Sequence, residues 1–283
     1  MKRFKYFLPI LFAFTVLVWI ILLKFQSVGL LKVSFLDVGQ GDAIFVETPS
    51  GFQMLVDGGP DNSVLRRLGS RMLFYDRSID VVLLTHPHAD HVAGLVEVLK
   101  RYRVQTLVLT EVSYDTAVFE KFLNLAQEKN IKIIYAHAGQ RFRLGGDYFF
   151  DVYLPQGSLA GKSFGDLNEA SIVGRLTYGD VDFLLTGDAG KPEEAVMLQS
   201  GNPLQSEVLK LGHHGSRFST GETFLRAVAP SYATASMGEG NSYGHPHAET
   251  LALLERFGIP LFRTDQGHDI NLATDGKTLY RLD

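Results

Sequence analysis

The chain has 283 residues and sets 27 Lys and Arg against 31 Asp and Glu, a formal net charge of −4. Four of the basic residues and no acid fall in the first 24 positions, so the remainder holds 23 basic against 31 acidic residues and is more acidic, at −8. Such a domain is a poor generic binder of nucleic acid, whose phosphate backbone is tracked by basic surface, although Arg66, Arg67, Arg71 and Arg77 leave room for a local basic patch; the absence of cysteine excludes disulfides and thiolate metal ligands.

The chain opens with Lys2, Arg3 and Lys5, followed at 6–23 by an uncharged, almost wholly apolar run closed by Lys24. Its 18 residues just suffice for a helix to cross a ~30 Å hydrocarbon core. The basic residues ahead of it place the N-terminus in the cytoplasm. Residues 1–29 are therefore expected to be an uncleaved single-pass membrane anchor, with residues 30–283 forming one domain outside the membrane. The alternative is a signal peptide and a secreted product, which the long apolar core and the poor cleavage signal around Ser27 disfavour.

Beyond the anchor, short apolar runs predict strands over 32–36, 43–47 and 54–56, with glycines at the turns. Strands over 81–84, 106–109 and 132–135 then alternate with helices over 92–100 and 117–129. The second half repeats the style. Strands are predicted at 149–154, 172–178, 181–185, 207–211, 232–235 and 261–263, with helices at 192–199, 222–228 and 248–257. Two similar α/β halves in one domain result. The segment Gly157-Ser-Leu-Ala-Gly-Lys162-Ser163 has one residue too few between its glycines for a phosphate-binding P-loop and reads as a flexible loop.

Chemistry concentrates at the strand ends. Residues 85–91 read Thr-His-Pro-His-Ala-Asp-His, and Pro87 keeps a helix from running through them. Three imidazoles (His86, His88, His91) and Asp90 thus sit where a strand stops and a helix starts, a donor set suited to zinc, manganese or iron. His213 and His214 follow another strand, Asp188 follows the strand at 181–185, and Asp57 lies in Val-Asp-Gly-Gly. His245 and His247 form a third histidine cluster. Strand ends converging on one sheet edge are where open α/β folds build sites. Ligands without cysteine favour a catalytic site with open positions.

Taken together, seven segments resemble the metallo-β-lactamase superfamily and, more narrowly, the C-terminal hydrolase-like domain of the ComEC competence-protein family. They are Asp37-Val-Gly-Gln-Gly-Asp42-Ala, Asp57-Gly-Gly, His86-Pro-His-Ala-Asp-His91, Asn168-Glu-Ala-Ser171, Thr186-Gly-Asp188, Lys210-Leu-Gly-His213-His214-Gly-Ser216 and Asn241-Ser-Tyr-Gly-His245-Pro, in family order across residues 31–283. The resemblance implies an αβ/βα four-layer sandwich binding two divalent metal ions, zinc or manganese. His86 and His88 would hold the first ion, Asp90 and His91 the second, and Asp188 would bridge them. One of His213 and His214 would complete the second site. His213, at the strand tip, is preferred, leaving His214 to face substrate. Asp57 would orient a ligand histidine, and His245 would lie near a substrate phosphate, so catalytic roles fall to Asp90, His214 and His245. Asn168 stands where many members carry a further histidine ligand. Lys210, Ser216 and Asn241 are expected around the site, Lys210 alternating with Leu209 and Leu211 and reading as solvated.

The implied activity is metal-dependent hydrolysis of DNA or another phosphodiester outside the membrane, with a separate membrane channel protein as a partner if the substrate is imported. Hydrolysis of a carboxylic ester, thioester or lactam is the alternative, and a non-catalytic tethered binding module the third.

Overall fold

The structure, a computed structural model, describes residues 6–26 (side chains to residue 20) and 29–282. Helix α1 (Phe7–Gln26) covers most of the apolar run. Among the described residues no helix is long and apolar enough to cross a membrane. The expected span over 6–23 reaches beyond the described side chains, and the described part does not carry it.

Fifteen strands follow among the described residues. The first half contributes β1 (Leu31–Phe35), β2 (Ile44–Glu47), β3 (Gln53–Val56), β4 (Ser78–Leu83), β5 (Arg103–Leu109) and β6 (Lys132–Tyr135). The second contributes β7 (Arg141–Arg143), β8 (Tyr148–Leu154), β9 (Val173–Tyr178), β10 (Val181–Leu185), β11 (Val208–Lys210), β12 (Tyr232–Ala235), β13 (Leu261–Arg263), β14 (Ile270–Thr274) and β15 (Leu279–Leu282). The helices are α2 (Ser63–Arg71), α3 (Ala89–Arg101), α4 (Ala117–Glu128), α5 (Lys191–Gln199), α6 (Glu222–Val228) and α7 (Ala248–Arg256). One sheet has the order β15-β14-β1-β2-β3-β4-β5-β6 and the other β13-β12-β11-β10-β9-β8-β7.

The period-2 alternation of strand side chains builds three apolar layers. Val33, Phe35, Ile44, Val56 and Leu83 meet Phe150, Leu176, Phe183 and Val208 between the sheets. The opposite faces carry Leu55, Val82 and Leu107 against Leu68 of α2, Leu95 of α3 and Phe122 of α4, and Leu184, Leu209 and Ala233 against Met197, Phe224 and Leu254 of α5, α6 and α7. The result is a four-layer αβ/βα sandwich.

Three strands and one helix were not expected. β14 lies antiparallel along all of β1, from Leu31 opposite Thr274 to Phe35 opposite Ile270, and turns back through Asp275-Gly276 into β15. β7 is three residues long, and α2 buries only Val64 and Leu68, too little apolar periodicity to stand out.

β1 is antiparallel to β2 and β2 to β3, and β3 to β6 then run parallel, so β1 points the same way as β3, β4 and β5. β10 to β13 are likewise parallel. The C-terminal ends of these strands carry the His and Asp motifs.

One buried carboxylate ties the outer layer together. Glu194 on α5 accepts the backbone N–H groups of Thr220 and Gly221 at the start of α6. Burial pushes its pKa up to about 6, against the lowering effect of those two amides. A folded-state pKa above the unfolded value means that the folded chain holds the extra proton, so the stability it adds is present at pH 4.5 and lost as pH rises through about 6. The step is worth about 2 kcal/mol. Urea unfolding at pH 4 and pH 7 should show this loss in the wild type and a flatter profile in Glu194→Gln; equal slopes would exclude Glu194 as its source.

Candidate metal centre

Asp57 is the first residue past β3 and sits at φ 58°, a left-handed conformation uncommon outside glycine. Its carboxylate accepts from the Thr85 N–H (2.8 Å) and hydroxyl (2.7 Å) and meets Nδ1 of His91 at 2.8 Å. The next residue, Gly58, donates its N–H to the His91 carbonyl. Close approach here demands glycine. A Cβ on Gly94 of α3 would stand 1.8 Å from the Gly58 carbonyl oxygen, and one on Gly41 1.9 Å from the carbonyl oxygen of Asp90. The loops after β1 and β3 are thereby clamped onto the first turns of α3, where Asp90 and His91 lie.

The second sheet brings the remaining groups. Asp188, past β10, places Oδ2 3.4 Å from Nε2 of His91, 3.4 Å from Nε2 of His214 and 4.0 Å from Nε2 of His86. Its N–H donates to the Ser171 hydroxyl. His86 lies 3.0 Å from His88, Nε2 to Nδ1. His214 Nε2 is 3.7 Å from Asp90 Oδ2, and its Nδ1 is 3.6 Å from Asp42 Oδ1. Within 4.8 Å of one another stand the ligand atoms of His86, His91 and Asp188, and likewise those of Asp90, His91 and His214.

Two placements differ from the sequence expectation. His214, not His213, joins the clusters of metal-type ligands. Both residues are left-handed, at φ 45° and 56°, and this consecutive αL turn sends His214 inward. His213 stands with Nδ1 3.5 Å from Asn168 Nδ2 and its ring 5.4 Å from that of His245. Lys210 is not solvated. It shares parity with Val208, so it faces between the sheets, wholly buried, with Nζ ion-paired to Asp42, donating to the Gly187 carbonyl at 2.7 Å and 3.6 Å from Asp188. The two acids of the Asp37–Asp42 turn also part company. Asp37 pairs with Arg67 at 2.6 Å, and its N–H donates to Asp269, which Arg71 also engages, whereas Asp42 points into the site.

Asn241 braces the loop of His245, accepting its N–H (2.9 Å) and donating to its carbonyl (2.8 Å). Ser216 is buried under the same wall, its hydroxyl accepting from the Phe218 N–H and its carbonyl taking the Thr250 hydroxyl. His247 accepts the Arg217 N–H and so packs the loop rather than facing the centre. A cavity of about 400 Å³ opens over the cluster, lined by His88, Asp90, Asn168, Asp188, His213, His214 and His245, together with Gln40, Asp166 and Tyr243. The last three were not singled out from the sequence. Tyr243, inside the Asn241–His245 motif, stacks on His245 with ring centroids 5.8 Å apart.

The electrostatics fit a cation centre. Burial alone would depress the pKa of His91 and His214, yet Asp188, with Asp57 for His91 and Asp42 and Asp90 for His214, holds both well above the ordinary histidine value. Burial would likewise raise Asp188, but the two imidazoles hold it well below the usual carboxylate range. Protons on His91 and His214 therefore balance the carboxylates in the metal-free protein. Nε2 of each ring and Oδ1 of Asp188 are nevertheless buried without a hydrogen-bond partner, at a cost that a divalent ion accepting these atoms removes. Burial, aided by neighbouring imidazoles, pushes His245 down to about 4, and burial also lowers His213, so both are neutral at pH 7.

The sequence model of the metallo-beta-lactamase superfamily matches residues 36–239. ComE operon protein 3 of Bacillus subtilis is 31% identical over 256 residues, which cover 84% of this chain and 32% of that protein. Competence protein ComA of Neisseria gonorrhoeae is 45% identical over 101 residues, 35% of this chain and 15% of that one. The chain thus spans no more than a third of either relative. Among solved structures, the metallo-beta-lactamase fold protein YhfI from Bacillus subtilis superposes with a TM-score of 0.58 at 14% identity, over 84% of this chain and 98% of that chain, a likeness of fold alone. With the matched region covering most of the chain and holding the whole His–Asp cluster except His245, this chain belongs to the metallo-beta-lactamase superfamily and, by its relatives, resembles the ComEC-type competence proteins.

Proposed function

We propose that the chain is a metal-dependent phosphodiesterase of the ComEC-like branch, acting on DNA or another phosphodiester outside a membrane to which residues 1–29 anchor it. A separate membrane channel protein would be its partner where the substrate is imported. The observation that carries the reading is the two-sided cavity. One wall is the carboxylate–imidazole cluster around Asp188; the other is a set of neutral hydrogen-bonding groups, His213, His245 and Asn168.

His86, His88 and Asp188 would hold one ion, and Asp90, His91 and His214 the other, with Asp188 shared. Divalent ions bound there supply Lewis acidity toward phosphoryl oxygens and lower the pKa of water. The protein's own groups do the rest. Asp57 fixes the tautomer and orientation of His91 through its 2.8 Å contact. Asn241 holds the His245 backbone, setting its ring beside His213 and Tyr243. A phosphodiester brings two non-bridging oxygens that need several donors, which the neutral imidazole N–H groups of His213 and His245 would provide, Asn168 donating to Nδ1 of His213 and so leaving the proton on Nε2; a carboxylic ester has one carbonyl oxygen and needs fewer. His245 is neutral at pH 7, so it acts first as a hydrogen-bonding group toward substrate.

The test is a substrate panel on the full-length chain in detergent with manganese or zinc: bis-p-nitrophenyl phosphate, single- and double-stranded DNA, and p-nitrophenyl acetate. Phosphodiester turnover well above ester turnover supports the reading, and ester turnover alone overturns it. Asp57→Asn is expected to weaken metal affinity by about 10–100-fold with the fold intact; unchanged affinity in a metal titration would remove Asp57 from its orienting role.

A further inference from the structure

A basic groove of this acidic domain lies at the end opposite the metal centre. Arg77, Lys100, Arg101, Arg103 and Lys129 line, with Tyr102, a groove of about 440 Å³. These five cations sit where β4 and β5 begin and where α3 and α4 end. The acids among them are Glu97, which pairs with Lys100 and Arg101, Asp76, which precedes Arg77, and Glu128, which precedes Lys129. Two net positive charges remain.

Beside the groove, the loop leading into β4 exposes three consecutive large side chains, Leu73 at 62%, Phe74 at 83% and Tyr75 at 68%. The backbone of Arg103 bonds to that of Arg77, so loop and groove are continuous. Folded chains seldom leave such a run in water.

A third observation locates the same end. β1 runs parallel to β4, so the chain before Leu31 departs from the edge at which β4 and β5 begin. What departs is α1, with Leu8, Phe12, Phe14 and Trp19 exposed.

We infer that this end of the domain docks on an anionic lipid surface, with the Leu73-Phe74-Tyr75 loop entering the interfacial region and the five-cation groove meeting lipid phosphates. Aromatic and aliphatic tips flanked by Lys and Arg are the composition that interfacial binding uses. The seven residues of β5 rise about 20 Å, so the metal centre at their far end is held away from the lipid. A nucleic acid strand in the groove fits the observations less well: it would lie that same distance from the metals, and it gives no reason for the exposed Leu73. The inference does not rest on the hydrolase reading.

The chain has no cysteine, so F74C carries a single thiol for an environment-sensitive fluorophore, with E239C, exposed on the loop after β12, as the control at the opposite end. Full-length protein is mixed with phosphatidylcholine vesicles with or without phosphatidylglycerol. The label at 74, and not at 239, should shift to an apolar emission on the anionic vesicles and return toward the aqueous one in high salt. Each basic residue near such a surface is worth about fivefold in binding, so adding K100E, R101E and R103E should weaken docking by at least about 100-fold. The thermal transition of each variant reports that the fold is kept. A label at 74 that stays aqueous on anionic vesicles overturns the proposal, as does one that responds to a DNA duplex but not to phosphatidylglycerol.

Discussion

Asp188→Ala is expected to reduce metal-dependent hydrolysis by more than about 10³-fold, beyond the 10²–10³ typical of losing one transition-state hydrogen-bond donor. The reason is position. The Asp188 carboxylate faces His86, His91 and His214 at once, at 4.0, 3.4 and 3.4 Å, so its loss would remove a ligand from both proposed groups. A readout independent of turnover follows from electrostatics. Burial opposes the charged form of His91 and His214, and Asp188 is the largest influence holding each pKa up. In the metal-free Asp188→Ala protein both pKa values should therefore fall, and both rings should give up their protons at a lower pH than in the wild type. Histidine NMR titration measures this directly. Unchanged titration curves with unchanged turnover would mean that Asp188 does not sit at the centre of the site.

Lys210→Met is the second large effect. Lys210 is wholly buried and ion-paired with Asp42, itself buried. Its charge persists because Asp42 and Asp188 outweigh the burial that would strip its proton. Removing one partner of a buried pair leaves the other charge uncompensated, which costs about 3–5 kcal/mol. Denaturant unfolding of metal-free Lys210→Met should show a loss of that size. The double variant Lys210→Met with Asp42→Leu should recover most of it, since a neutral pair of similar volume leaves no bare charge. A loss below about 1 kcal/mol would show that Asp42 finds another partner or takes up a proton without cost.

The fold was largely legible because its strands are short, apolar and separated by glycine turns, and because the His–Asp motifs fall at their ends. What escaped has physical reasons. β14 and β15 alternate only weakly, and the hairpin signal at Asp275-Gly276 was the clue available. α2 has two buried residues and no wider apolar face. The exchange of His213 and His214 could not be read from spacing. Adjacent residues differ by about half a turn of direction in a strand, and here two left-handed residues in succession reset it. Lys210 could have been placed: its parity with Val208 puts it between the sheets, a position no lysine takes without carboxylates waiting, and Asp42 was already in the motif. The resemblance set Asp57 beside a histidine without saying which; in the structure its carboxylate meets Nδ1 of His91.

On the proposed reading this cluster would hold two divalent ions that serve phosphodiester cleavage. The most direct measurement titrates metal-free full-length protein with manganese or zinc and follows, on one sample, ions bound per chain and the rate of bis-p-nitrophenyl phosphate cleavage. Two ions per chain are expected, with cleavage rising with occupancy and both lost in Asp188→Ala. Full occupancy without any phosphodiester cleavage would contradict the phosphodiesterase reading, and failure to bind metal at all would contradict the metal centre itself.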